Sequence, residues 1–265
     1  MQVVKQYPDN MFCWVDLATT DPAAAKEFFS GLFGWEYFDI PTPMGTHYSL
    51  CQINGYNVAG LSNLPQEMTD QGIPPIWSSY IKHDDVDAVA EKAVAAGGSI
   101  AMEAMDVMDS GRMIIIADPT GAMVGLWQPK GHIGAQLVNM PNALVWNELQ
   151  TKDVDSARSF YGTVFGWGHD QDPNGYHLFK LGERMQAGML KLDASWGEMQ
   201  PHWGVYFMSE DIEATAARAK ELGGAILVPP TDTGTVGRFA VIQDPQGGVF
   251  TSMQFDGPVD APPGY

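Results

Sequence analysis

Apolar positions along the chain follow two spacings, one typical of strands and one typical of helices. Residues 12–18 form a short apolar run rich in aromatic and β-branched side chains, which predicts a strand. After it, Asp21 and Pro22 suit the cap and the first position of a helix, and Gly34 suits its end. One apolar stripe with helical spacing lies between them, at Ala25, Phe28, Phe29, Leu32 and Phe33.

This pattern occurs a second time in the chain. A repeat of this length indicates two copies of one module, because each structural element reappears in the same order. The matching residues, in order along the chain, are Trp14 with Trp146, Asp16 with Glu148, Asp21 with Asp153, Phe33-Gly34-Trp35 with Phe165-Gly166-Trp167, and Gly111–Gly121 with Gly237–Gly247.

Each copy contains the strand, the helix and the following strands twice. In the first copy, the second unit starts with the apolar run 76–82, and Asp84 or Asp85 then caps a helix that Gly97-Gly98 ends. The sequence therefore predicts an α+β fold of four βαβββ units.

The units divide the chain into two modules. The predicted segments are a first module at 1–130, a linker at 131–140, a second module at 141–256 and a tail at 257–265, with residues 1–10 as a loose arm within the first module.

Composition limits the kinds of partner molecule and the cellular compartment that we expect for this chain. The formal net charge is −18, which argues against nucleic acid or an anionic membrane as a partner, since both are polyanions. The two cysteines, Cys13 and Cys51, lie in apolar strands and are expected to be buried thiols. Without a signal-peptide pattern or a membrane-length apolar run, we expect a cytoplasmic monomer or homodimer.

Three motifs together carry a family resemblance. They are Asp-Pro-x-x-Ala-x-x-Phe-(Phe/Tyr)-x-x-x-Phe-Gly-Trp, then Asp-Asp-Val-Asp before a helix ending in Gly-Gly, then Gly-Arg followed by Asp-Pro-x-Gly. In this combination the chain resembles the vicinal oxygen chelate superfamily, which includes glyoxalases, bleomycin resistance proteins and extradiol dioxygenases. The resemblance implies that paired units curl into two cup-shaped mixed sheets with helices outside, and that a small molecule binds inside the cup.

The resemblance also implies where metal-using members of the family hold their metal. Their ligands are His, Gln or Glu at fixed strand positions. In this chain those positions fall on residues that are not usual metal ligands, in either copy. They are Trp14, Gly60, Ser78 and Gly125 in the first copy and Trp146, Gly188, Gly204 and Thr251 in the second. The six histidines show no clustered spacing, so we predict no family-type metal site and no cofactor.

Strand alternation predicts what lines each cup instead. Asp16 and Glu148 are the candidate catalytic groups, because a carboxylate in an apolar pocket acquires a raised pKa and then serves as a general acid or base. The alternative is that they pair with a neighbour such as Lys82 or Arg112. The candidate ligand-binding residues are Trp14, Tyr80, Arg112, Trp127, Trp146, Tyr206, Arg238 and Met253.

Some of these candidates have a structural alternative. The tryptophans are equally well explained as core residues. Arg112 and Arg238 suit a clamp for an anionic substrate, but in so acidic a chain a structural ion pair is the stronger expectation.

Three functions remain open at this point. The first is a metal-independent enzyme of the glyoxalase-like group, of lyase or isomerase type, acting on a hydrophobic or aromatic metabolite by proton transfer. The second is a protein that binds and sequesters such a molecule without reaction, as resistance proteins do. The third is a metal-dependent lyase or dioxygenase whose ligands lie elsewhere in the chain.

Overall fold

A computed structural model of the chain describes residues 2–43, 45–234 and 236–263. It contains two eight-stranded mixed sheets, one from each copy of the repeat. The first half of the chain forms β1 (Met11–Thr19), α1 (Pro22–Phe33), β2 (Glu36–Pro41), β3 (His47–Ile53), β4 (Tyr56–Asn63), α2 (Gln66–Asp70), β5 (Ile76–Lys82), α3 (Val86–Ala95), β6 (Ser99–Val107), β7 (Gly111–Ala117) and β8 (Met123–Pro129). The second half forms β9 (Leu144–Thr151), α4 (Val154–Phe165), β10 (Gly168–Gln171), β11 (His177–Leu181), β12 (Arg184–Lys191), a 3-10 turn (Ala194–Trp196), β13 (His202–Met208), α5 (Ile212–Glu221), β14 (Ala225–Asp232), β15 (Gly237–Gln243) and β16 (Val249–Phe255).

The two sheets have the same strand order. It is β2-β3-β4-β1-β5-β8-β7-β6 in the first sheet and β10-β11-β12-β9-β13-β16-β15-β14 in the second. In each, the first strands of the two units pair antiparallel at the centre (β1 with β5, β9 with β13), and each pairs in parallel with the last strand of its own unit. The predicted α+β fold of two modules is therefore confirmed.

The helix ends follow the predicted capping chemistry. The Asp21 side chain accepts hydrogen bonds from the first backbone N–H groups of α1, and Gly34 ends the helix in the left-handed region. Asp153 and Gly166 do the same for α4. Of the two candidate caps of α3, the structure selects Asp85, whose side chain accepts from the Ala88 N–H.

Apart from α2, which has no buried residue, the helices lie outside the cups, and each buries one face between the two modules. Phe29 and Phe33 of α1 pack against Phe250 at the back of the second sheet, with ring centroids 5.5 and 5.7 Å apart. In the same way, Tyr161 of α4 lies in one core with residues of the first sheet, and its hydroxyl donates to the carboxylate of Asp118 in the first module, 3.1 Å away. Each module thus supplies a helix to the hydrophobic core behind the other sheet.

Three segments differ from the sequence prediction. The sequence did not assign β2 or α2 individually, because their residues show little apolar periodicity; β2 is a sheet-edge strand with mostly exposed side chains. The N-terminal arm is not loose: Tyr7 is buried and its hydroxyl donates to the carbonyl of Ala135, 2.7 Å away. The sequence also predicts a strand from Met44 to Cys51; its first residue, and the last two residues of the predicted tail, lie outside the described residues.

In the described part of the chain, no helix combines the length and the apolar composition that crossing a membrane would require.

Candidate active site in each cup

The concave face of the first sheet carries a carboxylate bound by two tyrosines. The Asp16 carboxylate, on β1, accepts hydrogen bonds from the hydroxyl of Tyr48 at 3.1 Å and from that of Tyr80 at 3.2 Å. Tyr48 in turn accepts from the indole Nε1–H of Trp14, 2.8 Å away. The cluster therefore links three strands through one partly buried carboxylate, because Tyr48 lies on β3 and Tyr80 on β5.

The second sheet repeats this cluster with shorter hydrogen bonds. The Glu148 carboxylate accepts from Tyr176 at 2.5 Å and from Tyr206 at 2.6 Å, one on each oxygen. Trp146 donates its indole N–H to the Tyr176 hydroxyl at 3.2 Å. Glu148 is only 3% exposed, so the carboxylate lies at the floor of the cup.

A glycine opposite each cluster makes room for it. Gly60 and Gly188 lie beside Asp16 and Glu148 on the neighbouring strands. A Cβ at Gly60 would occupy the space of the Tyr48 hydroxyl, and a Cβ at Gly188 would overlap the Tyr176 hydroxyl. The absence of a side chain at these two positions is therefore what allows the tyrosine to reach the carboxylate.

Burial sets the ionisation of both clusters. It raises the pKa of the Asp16 carboxyl to about 6, while the hydrogen bonds from the two tyrosines favour the charged form and limit the rise. Burial likewise raises the pKa of Glu148. The tyrosine pKa values are raised by burial and then by the adjacent carboxylates, so these hydroxyls remain protonated donors at neutral pH.

The donor set does not fit a divalent transition metal at this position. The space at Gly60 is filled by the Tyr48 hydroxyl, and that at Gly125 by the ring of Tyr80. Each cluster offers one carboxylate, whereas a metal centre of this kind needs three or four imidazole, carboxylate or thiolate donors. Within residues 2–43, 45–234 and 236–263, no group of three or more His, Cys, Asp or Glu side chains is placed to hold a metal ion.

The structure brings most of the sequence-predicted site residues together. Besides the residues of the two clusters, Trp127 and Met253 lie on cup-facing positions of β8 and β16, in register with Lys82 and Met208 on the neighbouring strands. Both side chains are largely buried. Their contact with a ligand stays a prediction.

The two arginines lie elsewhere. Arg112 makes a two-point ion pair with Asp87 of α3, with distances of 2.8 and 2.9 Å, and Arg238 contacts Glu213 of α5 at 2.7 Å. Since α3 and α5 cover the outer faces of the sheets, the structure does not bring either guanidinium into a cup. The structural ion pair considered for them from the sequence accounts for both.

Sequence reasoning missed Tyr48 and Tyr176. The internal repeat could have identified both tyrosines. Tyr48 precedes Gly60 by the same number of residues as Tyr176 precedes Gly188. The neighbouring histidines do not repeat in this way, because His47 precedes Tyr48 whereas His177 follows Tyr176.

Comparison with known proteins supports the relation suggested by these motifs. The chain is 46% identical over 246 residues to "Putative glyoxylase CFP32" of Mycobacterium tuberculosis, covering 91% of this chain and 93% of that protein. It is 35% identical over 258 residues to "Anthracycline biosynthesis protein DnrV" of Streptomyces peucetius, covering 91% and 92%.

Solved structures share the fold at low identity. The Mn(II)-bound glyoxalase from Novosphingobium aromaticivorans matches with a TM-score of 0.65 at 17% identity, covering 96% of this chain and 85% of that one. The 2,3-dioxygenase LapB from Pseudomonas sp. KL28 matches with a TM-score of 0.66 at 13% identity, covering 100% and 96%. Residues 12–126 and 143–250 each match one family description, and the chain therefore belongs to the Glyoxalase/Bleomycin resistance protein/Dioxygenase superfamily.

Proposed function

We propose that the protein binds a small hydrophobic or aromatic molecule on the concave faces of its sheets and transfers a proton by way of Asp16. The observation that supports this most directly is the cluster found in both cups: a carboxylate bound by two tyrosine hydroxyls, with a tryptophan beside it. Apolar cups with few convergent polar groups suit small ligands.

The first cup has the chemistry for proton transfer without a metal. With a pKa of about 6, Asp16 is mostly ionised at neutral pH and is basic enough to take a proton from an acidic carbon next to a carbonyl group. The hydroxyls of Tyr48 and Tyr80 hold the carboxylate in place. Return of the same proton to a different carbon would complete an isomerisation, and loss of a leaving group would complete an elimination.

The names of two relatives fit an aromatic ligand. "Anthracycline biosynthesis protein" DnrV and DauV are 35% and 34% identical to this chain. Anthracyclines are planar polycyclic compounds with ketone and phenol groups, so a cup with tryptophan, tyrosine and methionine walls offers matching surfaces.

Non-catalytic binding is a second candidate, which the second cup favours. Glu148 accepts hydrogen bonds of 2.5 and 2.6 Å from Tyr176 and Tyr206, whereas the tyrosine hydrogen bonds to Asp16 are 3.1 to 3.3 Å long. Shorter hydrogen bonds hold the charged carboxylate more strongly, so Glu148 is the weaker proton acceptor of the two. On this view the second cup holds a ligand without transforming it.

Ligand titration with tryptophan fluorescence as the signal tests the proposal. A panel of hydroxylated aromatic ketones and quinones is titrated into the wild type, Asp16→Asn, Glu148→Gln and the control Glu36→Gln, whose side chain is exposed on β2. Each binder is then incubated in D₂O, and deuterium incorporation is followed by mass spectrometry.

The two candidate functions predict different results. For the enzyme, Asp16→Asn abolishes deuterium incorporation while the ligand still binds, and Glu36→Gln behaves as wild type. For the binding protein, the ligand binds, but the wild type and every variant incorporate deuterium only at the background rate. If no compound of the panel binds at millimolar concentration, the proposed ligand class is wrong.

A further inference from the structure

Three buried side chains form a hydrogen-bonded network on one side of the interface between the modules. The indole Nε1–H of Trp203 donates to the Tyr161 hydroxyl at 2.8 Å, and that hydroxyl donates to Oδ2 of Asp118 at 3.1 Å. Trp203 and Tyr161 belong to the second module, whereas Asp118 follows β7 in the first. The Tyr161 hydroxyl therefore satisfies a buried donor and a buried acceptor at once, and it joins the two modules.

The internal repeat places Trp77, Phe29 and Asp244 at the equivalent positions on the other side of the interface. The Phe29 ring packs edge-on against Trp77 with centroids 5.7 Å apart, much as Tyr161 packs against Trp203 at 5.3 Å. The two ring pairs thus have the same geometry, and the one with Phe29 is not packed more tightly. Because phenylalanine has no hydroxyl, Phe29 lacks the oxygen atom that links the other two groups in the first network.

Both groups that this oxygen would link are buried and unpaired. Within residues 2–43, 45–234 and 236–263, Nε1 of Trp77 and Oδ2 of Asp244 have no hydrogen-bond partner in the protein. Trp77 is 7% exposed and Asp244 is 2% exposed. Burying an unpaired indole N–H and an unpaired carboxylate oxygen is costly, so this site favours a molecule that both accepts and donates a hydrogen bond.

The same site lacks a second atom. Gly248 stands where the first module has Ala122. A Cβ at Gly248 would lie 2.6 Å from Oδ2 of Asp244 and 3.2 Å from Cδ1 of Leu17, and Leu17 is the register partner of Trp77. The carboxylate therefore lies next to the strand pair that carries the indole. With one hydroxyl and one methyl group fewer than its counterpart, the site has room for a water molecule.

We propose that a buried water molecule binds at this site, accepts a hydrogen bond from the Trp77 indole and donates one to Oδ2 of Asp244. Water fits because it is small, accepts and donates at once, and binds buried polar groups that the protein leaves unpaired. Another unpaired buried oxygen, Oε1 of Gln246, belongs to the same turn and provides a further acceptor. The water joins the modules beside α1 as the Tyr161 hydroxyl joins them beside α4.

Crystal structures that resolve ordered waters test this site directly. In the wild type we expect an electron-density peak within hydrogen-bonding distance of both Nε1 of Trp77 and Oδ2 of Asp244. In Phe29→Tyr, which installs the residue of the second module, the new hydroxyl should take that position and the peak should be absent.

The reverse exchange provides a second structural test. Tyr161→Phe removes the hydroxyl from the other side of the interface. A water molecule should then appear between Nε1 of Trp203 and Oδ2 of Asp118, where the wild type has none because the hydroxyl fills the place.

Urea unfolding tests the same site without crystals. Phe29→Tyr should keep or raise the urea midpoint, because its hydroxyl makes the hydrogen bonds of the water and releases an immobilised molecule. The matched control is Phe33→Tyr on the same helix, also a buried phenylalanine. Its ring packs against the aromatic rings of Trp35, Phe207 and Phe250, so the added hydroxyl should lower the midpoint.

Two results would overturn the proposal. One is a wild-type structure in which Trp77 and Asp244 pair with other protein groups, or in which no density lies between them. The other is a midpoint for Phe29→Tyr that falls as far as that for Phe33→Tyr, since the hydroxyl would then have found neither space nor partners. Neither result depends on the ligand of the cups, so the proposed function is tested separately.

Discussion

The raised pKa of Asp16 has a consequence for stability that can be measured without knowing the ligand. The carboxyl pKa is about 6 in the folded protein, against an ordinary value of 3.8 in the unfolded chain. Because the folded pKa is raised, the folded state holds the proton more tightly. The protonated Asp16 carboxyl therefore stabilises the folded state. This stabilisation is fully present below about pH 3.8 and is lost as the pH rises through 6.

The magnitude follows from linkage. With these two values, ionised Asp16 costs the folded state about 3 kcal/mol at pH 7 and about 1.5 kcal/mol at pH 5. Asp16→Asn has no such titration. The free energy of unfolding of Asp16→Asn, relative to that of the wild type, should therefore be about 1.5 kcal/mol higher at pH 7 than at pH 5.

Urea unfolding of both proteins at pH 5 and pH 7 measures this difference, and the NMR titration of the Asp16 carboxyl carbon measures the pKa directly. Asp39→Asn is the control. The pKa of Asp39 is lowered by its hydrogen bond from Lys26, so it is ionised at both pH values and the corresponding difference should stay constant. A constant difference for Asp16→Asn as well, with a carboxyl midpoint near 4, would refute the assignment of Asp16 as a group poised for proton transfer.

Three further substitutions test the arrangement of the first cup. Tyr48→Phe should destabilise the protein by about 1–3 kcal/mol in urea unfolding, since it leaves the Trp14 N–H without its acceptor, and NMR should show an even higher pKa for Asp16. Gly60→Ala should lower the free energy of unfolding by about 1–3 kcal/mol, because its Cβ displaces the Tyr48 hydroxyl. The control Gly257→Ala, with open space around it, should change that free energy by less than about 0.5 kcal/mol. Equal effects would argue against the close approach of Tyr48 to Gly60. Arg112→Ala should have little effect on stability, because its ion pair with Asp87 is exposed, and should leave ligand affinity unchanged. A large loss of affinity would show that Arg112 contacts the ligand.

The sequence alone determined those features that depend on local chemistry. The two copies, the caps of α1 and α4 and the central strands follow from short-range patterns, because a capping aspartate and a terminal glycine act on backbone groups within one turn. Strand alternation was also sufficient to place Trp14 and Asp16 on one face with Tyr80, since side-chain direction has a period of two.

Only the tertiary structure decided how these parts meet. The hydrogen bonds of Tyr48 and Tyr176 to the carboxylates depend on which strands become neighbours, and the pairing of Arg112 with Asp87 depends on how α3 lies across the sheet. The backbone hydrogen bonds from Ala135 to Cys13 and from Gln136 to Asn57 depend on the path of a linker that has no periodic pattern. Contacts of this kind join residues far apart in the chain. They are selected by the packing of whole elements, so no local pattern in the sequence specifies them.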